Sequence, residues 1–342
     1  MKQTLFMRQL EAYFENYLPE VKMCSDNTIS AYSDSFRLLF DFFKQQKNIP
    51  HYLIDYKHLS TDIFDDFVIW LGKERKCGEA SKKHRMSAVS SFLKYASRRE
   101  ISAIKALNSI MSIDKPRVPR SRFPYFTVEE TKIILGLPNP RERLGIRDMT
   151  LLSLLYDSGA RAQELCDIKV CDIRFTSPAK ISLRGKGNKA REVPISDEVS
   201  KLLKFYLKSV NLNNPENRDK HLFSSQTHEM MTTSCIRGIV KKYVGIAKKA
   251  HPNLFGSSKY STHSFRHSKA VHMVEAGNAL IYIRDFLGHE TVQSTEIYAR
   301  VSQDAVTKAL TERKIPTLSP KTDSLKDDTR SEQFPEFLSR GK

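Results

Sequence analysis

Six side chains in this sequence fit a single reaction: Arg161 in GARAQEL, Lys186 in RGKGNK, His263 and Arg266 in THSFRH, His289 in LGH and Tyr298 in TEIYAR. A phenol is a competent nucleophile toward phosphorus, and attack on a phosphodiester builds a pentacovalent, dianionic phosphorane. Two guanidiniums with imidazole and ammonium donors are what a metal-free site needs to neutralise that charge. Arg161 and Arg266 can each clamp nonbridging oxygens with a planar fork of N–H groups. Tyr298 would then supply the nucleophile. A free phenol has a pKa of about 10, so only about one in a thousand is ionised at neutral pH, a deficit of about 4 kcal/mol. The guanidiniums are the groups able to offset it.

Each residue has a plainer reading by itself. An arginine near a glutamate is commonly a surface ion pair, a histidine near a helix cap is commonly a structural hydrogen bond, and a helical tyrosine is commonly half-buried packing. Their joint occurrence changes the balance, and the local elements support it. Arg161 follows Ser158 and Gly159, which break one helix, and it opens the next. Glu164, three residues on, is placed to orient the site by hydrogen bonding. His263 and Arg266 lie three apart at a helix start capped by Ser261 or Thr262, so they share a face beside an N-terminus that favours phosphate. His267 follows directly. Gly288 sits where a helix should end, with His289 just beyond, and Thr291 or Ser294 can start the helix that carries Tyr298 on its second turn. Tyr156, Tyr260 and Tyr282 are rival nucleophiles that lack the LGH spacing.

The stretch KISLRGKGNKAREVPIS alternates as a hairpin, with Ile181 and Leu183 on one strand, Val193 and Ile195 on the other, and a Gly-rich turn at 185–188. Arg184, Lys186, Lys189 and Arg191 place four bases there within eight residues and no acid among them, a DNA-binding candidate. MTLLSLLY is too apolar to be exposed on any face and predicts a central helix. Thr127 can cap a helix with Glu129 and Glu130 in its first turn. Two amphipathic stripes follow the hairpin: Val199, Leu202, Leu203, Tyr206 and Leu207, then Ile236, Ile239, Val240, Tyr243 and Val244.

Residues 1–110 read as helices only. Ile29, Tyr32, Phe36, Leu39, Phe40 and Phe43 recur at helical steps after the capping candidate Asp26, and Phe64, Phe67, Val68 and Leu71 follow Ser60. A third helix buries Met86, Val89, Phe92, Leu93 and Ala96 and gathers bases elsewhere, of which Lys82, Lys83, Arg85 and Lys94 are candidate DNA contacts. The fold expected is mainly α: an N-terminal helical bundle, then a mixed α/β, mostly helical domain with a small antiparallel sheet. Residues 111–125 form the connector, for SIDKPRVPRSRFPY holds three prolines and four basic residues, Arg117 and Arg120 among them, which disfavour helix and suit phosphate. The second domain is expected over 126–312, and residues 313–342 read as a flexible, polar tail.

With 342 residues, two domains is the natural expectation. The net charge of +17 implies a polyanionic partner, nucleic acid above all. No apolar stretch approaches the roughly 20 residues of a membrane span, and no membrane partner is expected. The N-terminus lacks a signal peptide's features, and the five cysteines, odd in number and without paired Cys-x-x-Cys spacing, argue against zinc and disulfides. A cytoplasmic protein with reduced thiols is the expectation. No cofactor is expected, since the sequence carries neither a P-loop nor an acidic cluster suited to two metals.

In order and in spacing, Arg, Lys, His-x-x-Arg, His and then Tyr nine residues later, the set resembles the tyrosine recombinases, or phage-integrase family, across residues 8–308. The resemblance implies a SAM-like core-binding bundle at the N-terminus, a catalytic domain after the connector, and a clamp around double-stranded DNA. It implies that Tyr298 attaches to a 3′ phosphate, that Lys186, or in competition Lys189, protonates the departing 5′ oxygen, and that His263 transfers a proton or donates a hydrogen bond. His267 would be structural. It further implies a homotetramer on paired recombination sites, with a short helix bearing Val301, Ala305, Val306 and Leu310 exchanged between neighbours. Phe265 and the SKAVHM continuation depart from the family's usual Leu and small, Thr-rich residues. With no added module before the bundle, the chain looks like Xer-type or transposon-borne members. Alternatives are a type IB topoisomerase and a catalytically silent DNA-binding protein; the filling of all six positions and the exchanged-helix candidate favour recombination.

Overall fold

The computed structural model describes residues 3–114, 123–185, 189–225, 227–257 and 259–301. Lys186, the connector's Arg117 and Arg120, the exchanged-helix residues Ala305, Val306 and Leu310, and the tail at 313–342 therefore lie outside the described residues. The chain divides into two compact units, Met1–Ser121 and Arg122–Lys342.

The first unit is a helical bundle of α1 (Leu5–Ala12), which continues into a π-helical segment (Tyr13–Val21), α2 (Asp26–Lys47), α3 (Thr61–Lys73), α4 (Glu79–Ala96) and α5 (Ile101–Ser112). The π segment holds Pro19, whose missing N–H cannot join a regular α-helical ladder. Ser60 caps α3 as its sequence implies, its hydroxyl accepting from the Ile63 N–H, whereas α2 is capped at Ser25, with Asp26 the first helical residue. The core is aromatic. Phe92, fully buried on α4, meets Phe6, Tyr13 and Phe36 edge-on at centroid distances of 5.2, 5.4 and 5.5 Å, geometries that add to the simple burial of the rings.

The second unit places α6 (Val128–Gly136), α7 (Arg143–Asp157) and α8 (Ala162–Asp167) before a three-stranded antiparallel sheet, then α9 (Asp197–Ser209), α10 (Thr233–Ala250), α11 (Thr262–Glu275), α12 (Leu280–Leu287) and α13 (Gln293–Val301). Thr127 and Glu130 cap α6 reciprocally. The apolar run on α7 is central, with Leu151, Leu152, Leu154 and Leu155 fully buried. In the sheet β1 (Ile173–Arg174) pairs with β2 (Lys180–Arg184), and β2 with β3 (Ala190–Pro194) in the register Ile181↔Val193 and Leu183↔Arg191. The hairpin matches its alternation; the two-residue β1 is too short to leave a periodic signal. Ala270, Val271, Ile283, Leu287 and Tyr298 form a second, smaller core where α11, α12 and α13 meet. No helix among the described residues is long and apolar enough to cross a membrane.

Candidate active site

Three separate stretches bring the expected residues together. The first is the turn between α7 and α8. Gly159 takes a left-handed φ of +58°, and a Cβ there would lie 2.9 Å from Leu287 Cδ2, so the backbone can make this turn against α12 only without a side chain. Arg161 follows as the cap of α8, about one-third exposed. Its backbone N–H donates to Glu164 Oε2 at 2.7 Å and its guanidinium to Glu164 Oε1 at 2.9 Å. Glu164 is almost wholly buried, and burial alone would raise its pKa. Hydrogen bonding and charge from Arg191, then from Arg161, outweigh that effect and hold the carboxyl below its ordinary value.

The second stretch is the start of α11, capped at Ser261, whose backbone N–H bonds to Ser264 Oγ. Arg266 is 3% exposed and donates to Gly159 O at 2.7 Å and Leu287 O at 2.6 Å. One guanidinium thus joins the α8 turn to the end of α12, and further N–H groups on the fork are left over. Burial, then the charge of Arg161, lowers its pKa to about 10, so it stays protonated at neutral pH. His263 is exposed one turn earlier, its pKa lowered by partial desolvation and by Arg266 and Arg161.

The third stretch is the α12–α13 junction. Gly288 ends α12 at a φ of +66°, and a Cβ there would meet Arg191 Cδ at 2.9 Å. His289 Nδ1 shares a hydrogen bond with Thr295 Oγ1 at 2.9 Å, and its ring stacks 6.3 Å from that of Tyr298 at 15°. Burial, then the charges of Arg266, Arg161 and Arg191, brings its pKa to about 4. Tyr298 is 1% exposed on α13. Burial raises its phenol pKa while Arg266 and Arg161 pull it down without cancelling the rise.

His267 holds a place that the sequence reading treats as structural. Its Nδ1 lies 3.0 Å from the Tyr298 hydroxyl. Burial, then His263 and Arg266, lowers its pKa to about 4. With the phenol pushed up and the imidazole pushed down, the resting pair is neutral and shares one hydrogen bond. The signal was available in the spacing, because His267 is four residues after His263 and so shares the α11 face that faces Tyr298.

The basic residues divide. Arg184 and Lys189 are exposed at the hairpin's end. Lys186 is outside the described residues, yet its neighbour Gly185 is close to the site: a Cβ on it would lie 3.6 Å from Glu164 Oε1. Arg191, grouped by sequence with the DNA contacts, points inward. Its guanidinium makes two 2.8 Å bonds to Glu164 and a third, from Nε, to Phe286 O at 3.1 Å. In the first unit Lys83 and Lys94 are exposed beside a surface cavity of about 310 Å³. Lys82 pairs with Glu79 at 2.7 Å, and Arg85 bonds to Ala31 O and Ser35 Oγ within its own bundle.

Arginines, histidines and a buried helical tyrosine thus gather around two left-handed glycines, the arrangement that the sequence led one to expect of the tyrosine recombinases, and comparison with known proteins places the chain in that class. Residues 124–304 match the phage integrase family and residues 11–100 match the phage integrase N-terminal SAM-like domain. The chain belongs to the phage integrase family, the tyrosine recombinases. It is similar to a tyrosine recombinase of Thermosipho africanus, 30% identical over 305 residues that span 86% of this chain and 97% of the relative. It is 28% identical to tyrosine recombinase XerC of Caldanaerobacter subterraneus subsp. tengcongensis, over 87% of this chain and 84% of the relative. Its fold is also that of the XerH site-specific recombinase crystallised on a palindromic difH substrate, with a TM-score of 0.66 at 19% identity, covering 90% of this chain and 87% of that one.

Proposed function

We propose that this enzyme is a site-specific DNA recombinase that cuts and rejoins strands through a 3′-phosphotyrosine on Tyr298, without metal or ATP. The observation that carries the reading is the convergence of Arg161, Arg266 and Tyr298 from three stretches of chain, close enough for both guanidinium charges to act on the phenol. In the reaction Arg161 and Arg266 bind the nonbridging oxygens of the scissile phosphate and stabilise the charge that grows on them as the phenolic oxygen attacks. Glu164 keeps Arg161 in place. His263, one turn from Arg266, donates a hydrogen bond or relays a proton, and His289 lies against the nucleophile's ring.

Attack forms the O–P bond to Tyr298 and breaks the bond to the 5′ oxygen, which Lys186 protonates, or Lys189 if the turn presents that residue instead. The phosphotyrosine keeps the energy of the broken ester. A 5′ hydroxyl from a second strand can therefore reverse the step and reseal DNA with no nucleotide cofactor. Exchange between two duplexes needs four scissile strands, which fits a homotetramer on double-stranded recombination sites, with the segment after Arg300 passing between neighbours. The exposed bases of the first unit, Lys83 and Lys94, and separately those of the second, Arg184 and Lys189, are suited to the phosphate backbone. Strand exchange between two duplexes carrying the recombination site, run in excess EDTA with no nucleotide, tests the reading. Exchange at an undiminished rate is expected; a requirement for divalent metal or ATP would refute it.

A further inference from the structure

The Tyr298 hydroxyl and ring are shut off from any phosphodiester in this structure. With 1% of its surface exposed, the side chain cannot meet a phosphate on duplex DNA unless something over it moves. One face is against His289 and the hydroxyl is on His267. Val271, Ile283 and Leu287 share the core of Tyr298, and the half-buried Phe123 packs against that core beside it. Its ring stands edge-on to Tyr298 at 5.2 Å, and it lies 4.5 Å from the imidazole of His267, so one half-buried ring touches both members of the hydrogen-bonded pair. Phe123 lies within the proline-rich stretch, beside Pro124. Three residues later the chain is pinned, the Phe126 N–H donating to the buried Ser268 Oγ at 2.7 Å. Phe123 is therefore held from one side by α11 and is continuous on the other with the basic connector.

We propose that Phe123 is a positioning residue that holds Tyr298 in a withdrawn, His267-bonded position and must swing away before the nucleophile can reach DNA. The inference rests on Tyr298 being the nucleophile. Its physical basis is that loss of the Phe123 ring removes an aromatic contact from both Tyr298 and His267 while the hydrogen bonds of Arg161, Arg266 and Glu164, none of which involves Phe123, remain. The ring makes the withdrawn state more favourable by the strength of an aromatic pair, which as an equilibrium constant is roughly three- to tenfold.

The test uses the full chain and two readouts. In free protein, nitration by tetranitromethane is mapped by mass spectrometry at Tyr298 and, as a folding control, at the buried Tyr206 of α9. On DNA, the rate of covalent adduct formation is measured at saturating nicked recombination-site duplex across pH 6 to 9. Phe123→Ala should expose Tyr298 to nitration, leave Tyr206 protected and raise the adduct rate roughly three- to tenfold with unchanged DNA affinity. Phe123→Tyr, which keeps the ring, should behave as wild type. Tyr298 as protected in Phe123→Ala as in wild type would overturn the proposal, as would a slower adduct rate. If Tyr206 loses protection in the alanine variant, Phe123→Leu is judged by the same two criteria. Nitration reports the cover even if no adduct forms on any DNA, so failure of this inference and failure of the catalytic reading give different results.

Discussion

Both carboxylate oxygens of Glu164 accept from the guanidinium of Arg191, at 2.8 Å each. The same carboxylate holds the backbone and side chain of Arg161, so an arginine on β3 fixes, through one buried acid, an arginine proposed to bind phosphate. Breaking a buried ion pair costs up to about 3–5 kcal/mol, and removal of Arg191 leaves Glu164 with only the partly exposed Arg161 as counter-ion. Arg191→Ala should therefore lower the Tm markedly and abolish strand exchange. The dependence of DNA affinity on salt should hardly change, because a phosphate contact contributes close to one unit to the log-log slope and the Arg191 guanidinium is engaged by Glu164 and Phe286 O. A salt slope reduced by about one, with an intact Tm, would return Arg191 to the DNA interface.

Gly288→Ala should be damaging although the change adds one methyl. The residue is left-handed, which costs an L-residue about 1–2 kcal/mol, and the new Cβ would lie 2.9 Å from Arg191 Cδ. Movement of Arg191 loosens Glu164, and movement of the turn displaces His289. The expected result is a stability loss of about 1–2 kcal/mol or more in urea unfolding and a larger fall in adduct rate than the stability loss explains. Wild-type stability in this variant would contradict the geometry.

His267 and His289 give the fold a dependence on acid. Each is neutral in the native site with a pKa of about 4, against 6.5 when unperturbed. Below about 6.5 the unfolded chain takes up protons that these two native imidazoles refuse, so stability is full above that pH and declines as pH falls toward about 4. Glu164 adds to the loss at still lower pH, since its depressed pKa means the native acid resists protonation until below the ordinary carboxylate range. His267→Asn keeps an acceptor near Nδ1 and removes one titration. Thermal melts from pH 7.5 to 4.5 should show a shallower decline for that variant than for wild type; parallel curves would mean that His267 is protonated alike in both states.

Much of the candidate site was legible because its residue types recur in a set order and spacing. Arg161, His263, Arg266, His289 and Tyr298 are brought to one place, and the caps at Ser60 and Thr127, the Ile181↔Val193 hairpin and the buried α7 follow from local chemistry that tertiary packing does not overrule. Arg191 shows where charge misleads. Counted with its basic neighbours it reads as a DNA contact, but strand alternation puts it on the same face as the buried Val193, and that period is the stronger signal. His267 was hidden by its adjacency to Arg266, which drew attention to the i+3 relation and away from the i+4 relation to His263. Phe123 could not be read at all, for a contact across 175 positions leaves no local pattern, and a proline-rich stretch announces only that it is not helix.

If Tyr298 becomes covalently joined to DNA, as proposed, trapping that species shows it most directly. Wild type, Tyr298→Phe and Tyr282→Phe are incubated with nicked recombination-site duplex, denatured, and digested so that the peptide carrying the nucleotide can be sequenced by mass spectrometry. A 3′-phosphotyrosine is expected on the peptide containing Tyr298 in wild type and Tyr282→Phe, and none in Tyr298→Phe. An adduct that persists in Tyr298→Phe, or that maps to another residue, would contradict the proposal.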